Sequence, residues 1–306
     1  MNSHKYVIST HKDQPVKVWP CDAISGGDEN QQMLHPTSLE GHTKAVSSSV
    51  VLPSKKLATA SWDKSIKIWD IETSTCEKTL TGHNDEILSM TSHKDRYLAT
   101  GGFDTELRVW DLQEEKCLSQ LKMGAEEAAV WCLASDFDNQ VFAGSIDLKI
   151  RVFDLAKEKI VSNLNAHKGH IRALLYDHKD SQLLYSSSSD GTIKIWDLRN
   201  KKLVATMADF GDNTPMCLAL YGQAQYLASG ATDGRVRVFD LRQFQKIREW
   251  QTHASVVTCM TVGPDGLLYT GSSDKAIRVW NQDKEDDCKA VIDANDMVLS
   301  LSSFDK

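Results

Sequence analysis

Short segments of the chain alternate aliphatic residues with lysine or arginine and end in an aromatic residue. Alternation with a period of two is typical of a β-strand that buries only one face. The segments are residues 16–19, 66–69, 107–110, 150–153, 193–196, 236–239 and 277–280. Their final aromatic residues are separated by 50, 41, 43, 43, 43 and 41 residues. The pattern therefore predicts seven copies of one β-structured unit.

An aspartate stands six residues before each of these aromatic residues: Asp13, Asp63, Asp104, Asp147, Asp190, Asp233 and Asp274. An aspartate between two strands is typical of a tight turn, because its carboxylate accepts hydrogen bonds from nearby backbone N–H groups. The sequence also predicts strands upstream of each turn, as at residues 86–90 and 97–102. Four short strands in each unit of roughly 40 residues are the signature of a propeller blade.

Several of the aromatic residues are followed directly by aspartate, as in Trp69-Asp70, Trp110-Asp111 and Trp196-Asp197. Together with the repeats, these dipeptides resemble the WD-repeat family over almost the whole chain. The resemblance implies an all-β, seven-bladed β-propeller that forms one domain over residues 1–306. We expect residues 4–39 and 294–304 to share the terminal blade, so that the C-terminal strand pairs with the N-terminal strands and closes the ring. The polar residues 22–33 predict a surface insertion.

Composition narrows the classes of function. The 306 residues include 35 Lys and Arg against 42 Asp and Glu, a formal charge of -7, which argues against direct nucleic-acid binding. The sequence has no apolar run of the ~18 residues that a membrane span needs. Its first residues lack the apolar segment of a signal peptide, so we do not expect secretion. Seven cysteines without a Cys-x-x-Cys pair predict reduced thiols in the cytoplasm or nucleus. We expect a monomer without a metal or cofactor.

Four repeats carry a histidine, a hydroxyl residue, an aspartate and a tryptophan at matching offsets. The sets are His42, Thr59, Asp63 and Trp69; His83, Thr100, Asp104 and Trp110; His167, Ser186, Asp190 and Trp196; and His253, Thr270, Asp274 and Trp280. These residue types suit nucleophilic catalysis, but an enzyme needs one site and not four copies. The family resemblance implies a structural hydrogen-bond network, since buried polar groups must be paired. We therefore predict that the protein is not an enzyme.

The remaining repeats lack this set. Glu126, Gly211 and Ala294 stand where the histidine would be, and Phe153 and Phe239 replace the tryptophan. We expect apolar packing to be the main stabilising interaction in these blades, and we expect them to open more easily than the others.

The family resemblance also indicates which positions face the top rim of the propeller. We predict that this rim binds a protein or peptide, because it carries Trp62, Phe103, Leu88, Trp131, Ile146, Arg172 and Met297. Aromatic residues are enriched at interaction hot spots. In the alternative interpretation the rings pack between blades, and for Trp131 the two interpretations are equally supported. The predicted function is a non-catalytic scaffold or adaptor that assembles a multiprotein complex.

A second interpretation depends on Trp196-Asp197-Leu198-Arg199 and Phe239-Asp240-Leu241-Arg242. Both segments resemble the Trp-Asp-x-Arg boxes with which substrate receptors bind the propeller adaptor of cullin–RING ubiquitin ligases. In this alternative Arg199 and Arg242 contact the adaptor through bidentate hydrogen bonds to carboxylates. Asp-Leu-Arg also occurs in many WD repeats that have no such role, so both functions stay open at this stage.

Overall fold

The computed structural model describes residues 5–21, 36–124, 128–136, 138–178, 182–222, 224–281 and 287–305. Within these ranges the chain forms 28 strands and no helix. Consequently, none of the described residues belongs to a helix long and apolar enough to cross a membrane. The whole insertion predicted at residues 22–33, as well as Glu126, lies outside the described residues.

The strands form four-stranded antiparallel sheets, which we call blades 1 to 7 and which we describe from the inner to the outer strand. Blade 1 contains β28 (Val298–Asp305), β1 (Lys5–His11), β2 (Val16–Pro20) and β3 (Thr37–Leu39). Blade 2 contains β4 (Val46–Val51), β5 (Lys56–Ser61), β6 (Ser65–Asp70) and β7 (Thr75–Thr81). Blade 3 contains β8 (Ile87–His93), β9 (Tyr97–Gly102), β10 (Glu106–Asp111) and β11 (Lys116–Lys122). Blade 4 contains β12 (Val130–Ser135), β13 (Gln140–Ser145), β14 (Lys149–Asp154) and β15 (Lys159–Asn165).

The other three blades repeat this order. Blade 5 contains β16 (Ile171–Tyr176), β17 (Leu183–Ser188), β18 (Ile193–Asp197) and β19 (Lys202–Met207). Blade 6 contains β20 (Pro215–Tyr221), β21 (Tyr226–Ala231), β22 (Arg235–Asp240) and β23 (Gln245–Gln251). Blade 7 contains β24 (Val257–Val262), β25 (Leu268–Ser272), β26 (Ala276–Trp280) and β27 (Cys288–Asp293).

The blades form a closed ring. Each inner strand contacts the inner strand of the next blade, and β28 contacts both β24 and β4. Blade 1 combines both ends of the chain, because β28 pairs with β1 in a register that runs from Lys5 with Asp305 to His11 with Val298. The predicted seven-bladed propeller and its closure through the C-terminal strand are therefore confirmed.

The core consists of apolar layers between neighbouring blades. In β6, the alternating pattern buries Ile66 and Ile68 and leaves the intervening Lys67 partly exposed. Trp69 at the end of this strand packs against Ile8 and Val18 of blade 1. Each blade thus buries one face against the preceding blade and the other face against the following blade. This packing on both faces holds the inner strands in a fixed ring.

Candidate functional site

The four polar sets identified in the sequence come together inside their blades. In blade 2, the His42 Nδ1–H donates to Asp63 Oδ2 at 2.8 Å, and His42 Nε2 lies 2.8 Å from Thr59 Oγ1. The Trp69 indole N–H donates to the same hydroxyl at 2.8 Å. Because Nδ1 carries the proton in this arrangement, Nε2 accepts the hydroxyl proton of Thr59. The same contacts recur in blades 3, 5 and 7.

The surroundings of these sets keep their carboxylates ionised, because the pKa of each aspartate is lowered. Burial opposes ionisation of Asp63, but hydrogen bonds from His42 and Ser65 outweigh it and lower the pKa of Asp63. In blade 7 the pKa of Asp274 is lowered to about 2, because contacts with Arg278 and His253 outweigh the opposing effect of burial. In each set the hydroxyl donates to the histidine and accepts from the indole N–H, so the sets act as hydrogen-bond networks that stabilise the blades.

Blades 4 and 6 use a different polar contact, which was not predicted. In blade 4, both terminal nitrogens of Arg151 donate to the carboxylate of Asp147. In blade 6, Arg237 forms the same paired contact with Asp233, at 3.2 and 2.7 Å. A charge-assisted pair thus occupies the turn aspartate in both blades, in addition to the apolar packing that we expect there.

Blade 1 replaces the missing histidine from within its own sheet. His11 Nε2 lies 2.8 Å from Ser9 Oγ, which also accepts the Trp19 indole N–H at 2.8 Å. The Lys17 ammonium donates to the carbonyl of Ala294, the residue that stands at the usual histidine position. Blade 1 therefore has a complete serine–histidine–tryptophan contact, although its histidine comes from strand β1.

The seven inner strands surround the centre of the ring, which we call the channel, and they share one feature at its top end. Each has a β-bulge at its second position, where one residue is skipped in the pairing with the next strand. The skipped residues are Ser47, Leu88, Trp131, Arg172, Met216, Thr258 and Leu299. A bulge redirects its side chain away from the regular face of the sheet. All seven side chains are half-buried, and they form a ring that we call the bulge ring.

The residue before each turn aspartate lies beside this ring. The backbone N–H groups of Trp62, Phe103 and Ile146 donate to the carbonyls of Ala45, Glu86 and Ala129, at 2.9, 3.0 and 3.2 Å. These carbonyls come from residues just before the inner strands. The backbone therefore fixes the pre-aspartate residues at the top rim, which consists of the bulge ring and these residues.

Aromatic residues on the rim differ in their exposure. Phe103 is 41% exposed and is one of the large apolar side chains left open to solvent. Trp62 is half-buried, and its indole nitrogen is buried without a hydrogen-bond partner among the described residues. Leu88, Ile146 and Met297 are also half-buried. The rim thus presents partly covered apolar side chains around one exposed phenylalanine.

Three rim residues from consecutive blades are in direct contact. The rings of Phe103 and Trp131 meet edge to face, with centroids 6.2 Å apart and an interplanar angle of 88°. The guanidinium carbon of Arg172 lies 4.6 Å from the centre of the Trp131 ring. Trp131, which the sequence left undecided, is half-buried between these two neighbours. Blades 3, 4 and 5 thereby share one aromatic–cationic cluster at the mouth of the channel.

Arg199 and Arg242 lie at the opposite end of their blades, where strands β18 and β22 end. Their side chains are 66% and 63% exposed. Each guanidinium donates two hydrogen bonds to the aspartate two residues before it, Asp197 or Asp240. The arginines are accessible, but Asp197 and Asp240 already accept hydrogen bonds from one edge of each guanidinium.

No group of three or more His, Cys, Asp or Glu side chains is arranged to hold a metal ion within the described ranges. A cavity of about 710 Å³ opens at the bottom of the channel, and its lining includes the apolar side chains of Leu133, Leu174 and Phe304 as well as Lys55 and Lys94.

Comparison with known proteins agrees with this architecture. The family model described as "WD domain, G-beta repeat" matches residues 35–70, 74–111, 115–154, 158–197, 202–240 and 244–281. One relative is the small ribosomal subunit protein RACK1 of Caenorhabditis elegans, which is 32% identical over 71 residues. That alignment covers 23% of this chain and 22% of the relative, so the similarity extends over about a fifth of the relative's length.

The six matched segments cover most of the chain, and the remaining blade is the one assembled from its two ends. Propellers of this kind are in general non-catalytic scaffolds for protein interactions. From its repeats, its ring of blades and the family match, the chain belongs to the WD40 family.

Proposed function

We propose that this propeller binds a protein or peptide partner at its top rim and thereby assembles a multiprotein complex. The observation that carries the proposal is the contact of Phe103 with Trp131 at the channel mouth, beside the partly covered Leu88 and Ile146. A rigid aromatic pair that is open to solvent on one side offers contact area at a low cost in side-chain entropy.

The polar side chains of the blades support a binding function for the top rim more than a catalytic one. The histidines of the polar sets are engaged with hydroxyl and carboxylate groups, and Arg151 and Arg237 are engaged with turn aspartates. Apolar side chains are therefore the main groups left for a partner to cover. The similarity to RACK1 supports a scaffold role, but attachment to a ribosomal subunit is a property of that relative and is not part of the proposal.

The test is affinity capture from a native lysate, with the wild type beside a Trp62→Ala/Phe103→Ala variant. We expect specific partners to be lost with the variant while its thermal unfolding transition is preserved. The matched control is Leu118→Ala, which removes a 38% exposed apolar side chain from the outer strand β11. Partners that bind both variants and the wild type equally would contradict the proposal.

One observation favours the ubiquitin-ligase receptor as a second candidate function. Exposed apolar side chains follow each Asp-Leu-Arg box: Leu203 and Val204 after the first, and Phe244 and Ile247 after the second. Like Arg199 and Arg242, these apolar side chains belong to blades 5 and 6. Its test is binding to the purified propeller adaptor of cullin–RING ligases. If this function is right, an Arg199→Glu/Arg242→Glu variant loses that binding and Phe103→Ala retains it; absence of binding by the wild type rejects it.

A further inference from the structure

Arg172 differs from the other arginines that are buried in the blades. Arg108 and Arg237 are 8% and 5% exposed, and they contact the carboxylates of Glu106 and Asp233. Among the described residues, no carboxylate lies within ion-pair distance of Arg172, although this side chain is half-buried. The structure thus leaves one partly desolvated guanidinium at the channel mouth without a counter-charge.

The surroundings of this guanidinium fix its position without neutralising it. One face lies against the Trp131 ring, at 4.6 Å from its centre. Its Nε is buried and has no hydrogen-bond partner among the described residues. Burial lowers the pKa of Arg172, and the described surroundings contain no anion that restores it. An unpaired buried N–H and a partly desolvated charge both cost free energy, which an incoming oxyanion would recover.

The neighbours of Arg172 on the bulge ring are apolar. Trp131 precedes it in blade 4, and Met216 follows it in blade 6. A ligand group that reaches the guanidinium therefore passes between an aromatic ring and a thioether side chain. Such a site prefers an oxyanion that is attached to an apolar group. A free, fully hydrated ion fits it less well, because its neighbours are apolar.

We propose that Arg172 binds an oxyanion on a side chain of the partner, so that the top rim selects a peptide with an acidic residue beside an apolar one. This selectivity rests on the proposed function of the rim as a peptide-binding surface. Arg172 forms charge-assisted hydrogen bonds with the anion, and the apolar neighbour in the peptide covers the Phe103–Trp131 pair.

The test is selection of a displayed random-peptide library on the purified propeller. On the wild type we expect enriched peptides that place Asp or Glu next to an apolar residue. On Arg172→Met we expect the acidic preference to disappear while the apolar preference stays. Lys159→Met is the matched control, because it removes one exposed positive charge from the outer strand β15 and leaves the rim intact; it retains both preferences.

Single peptides from the selection then identify the anion. Replacing the acidic residue of an enriched peptide by its amide is expected to weaken binding to the wild type about tenfold or more, and to leave binding to Arg172→Met unchanged. A version with phosphoserine at that position distinguishes the two sources of the oxyanion. Tighter binding of phosphoserine assigns a phosphoryl group to the site, and weaker binding assigns a carboxylate.

The outcomes separate the inference from the function on which it rests. Peptides that need Phe103 but show no acidic preference, or an acidic preference that persists in Arg172→Met, overturn the role of Arg172 and leave the rim as a binding surface. If the selected peptides bind a Trp62→Ala/Phe103→Ala variant as tightly as the wild type, the proposed function itself fails.

Discussion

Arg237 donates from both terminal nitrogens to the carboxylate of Asp233, in a blade that has glycine where other blades have the histidine. The same guanidinium lies 3.1 Å from Glu249 and stacks 5.0 Å from the centre of the Phe210 ring. In blade 6 an arginine from β22 thus donates the hydrogen bonds to the turn aspartate. In blades 2, 3, 5 and 7 a histidine donates to the equivalent aspartate. The Arg237 side chain is only 5% exposed, so these two carboxylates take the place of water around the guanidinium.

Replacing Arg237 by methionine is expected to destabilise the protein by about 2–3 kcal/mol. The substitution leaves two carboxylates without their shared cation, and breaking a fully buried pair costs about 3–5 kcal/mol. Asp233 and Glu249 are 19% and 20% exposed, so water offsets part of this cost. Urea unfolding followed by tryptophan fluorescence measures the change.

Arg235→Met is the matched control for this prediction. Arg235 contacts the same Glu249, but its side chain is 49% exposed and its ion pair is screened by solvent. The urea midpoint is expected to stay close to that of the wild type. Equal decreases in the free energy of unfolding of Arg237→Met and Arg235→Met would contradict a special role for the buried Arg237.

A pair of serine-to-alanine substitutions tests the polar sets directly. Ser186 and Ser229 occupy equivalent positions four residues before the turn aspartates of blades 5 and 6. Ser186 Oγ contacts His167 and Trp196, whereas Ser229 Oγ is buried without a partner among the described residues. Ser186→Ala is expected to cost about 2 kcal/mol, because two buried groups lose their partner.

Ser229→Ala is expected to leave the free energy of unfolding unchanged or to raise it, because the substitution removes an unpaired buried hydroxyl. Blade 4 already has alanine at the equivalent position, Ala143, which is fully buried. Comparable decreases in the free energy of unfolding of Ser186→Ala and Ser229→Ala would show that the hydrogen bonds of Ser186 add no stability beyond packing.

The repeat and the ring closure could be predicted because they depend on period-two alternation and on residue types at fixed offsets. Trp69, Asp63 and His42 recur in the same register in several blades, and the contacts among them follow that register. The contact of Arg237 with Asp233 could not be predicted, because every repeat carries lysine or arginine four residues after the turn aspartate. A basic residue at that position does not indicate which copy engages the aspartate.

The contact of His11 and the β-bulges of the inner strands escaped prediction for a different reason. The histidine of the polar sets precedes the inner strand, so a histidine inside β1 falls outside the expected register. The bulge at Trp131 and Arg172 skips one residue of an otherwise regular strand, and nothing in the alternation of residue types marks that shift. Contacts such as that of Arg172 with Trp131 depend on this local backbone geometry.

Acid is expected to destabilise the protein through His11. Burial lowers its pKa to about 4, Lys17 adds to the effect, and Asp296 opposes it. Unfolded histidine takes up a proton below a pH of about 6.5, whereas His11 in the folded protein stays neutral until about pH 4. The unfolded state therefore binds more protons in this window, and stability falls as the pH decreases, by up to about 1.4 kcal/mol per pH unit.

His11→Gln isolates this contribution. Between about pH 7 and about pH 4.5, the wild type is expected to lose about 2 kcal/mol more than the variant in urea unfolding. Burial also lowers the pKa of His93, His167 and His253, and their contributions remain in both proteins. Parallel pH profiles for wild type and variant would show that His11 titrates as it does in the unfolded chain.

Replacement of Arg172 by methionine is expected to leave the stability of the free propeller unchanged or to raise it by up to about 1 kcal/mol. Methionine keeps the apolar part of the side chain against Trp131 and removes a buried N–H that has no partner among the described residues. A residue that costs stability in the free protein is typical of a binding site, where the partner supplies the missing contact. Urea unfolding without ligand measures the change. A loss as large as that of Arg237→Met would instead make Arg172 part of the framework that stabilises the blades.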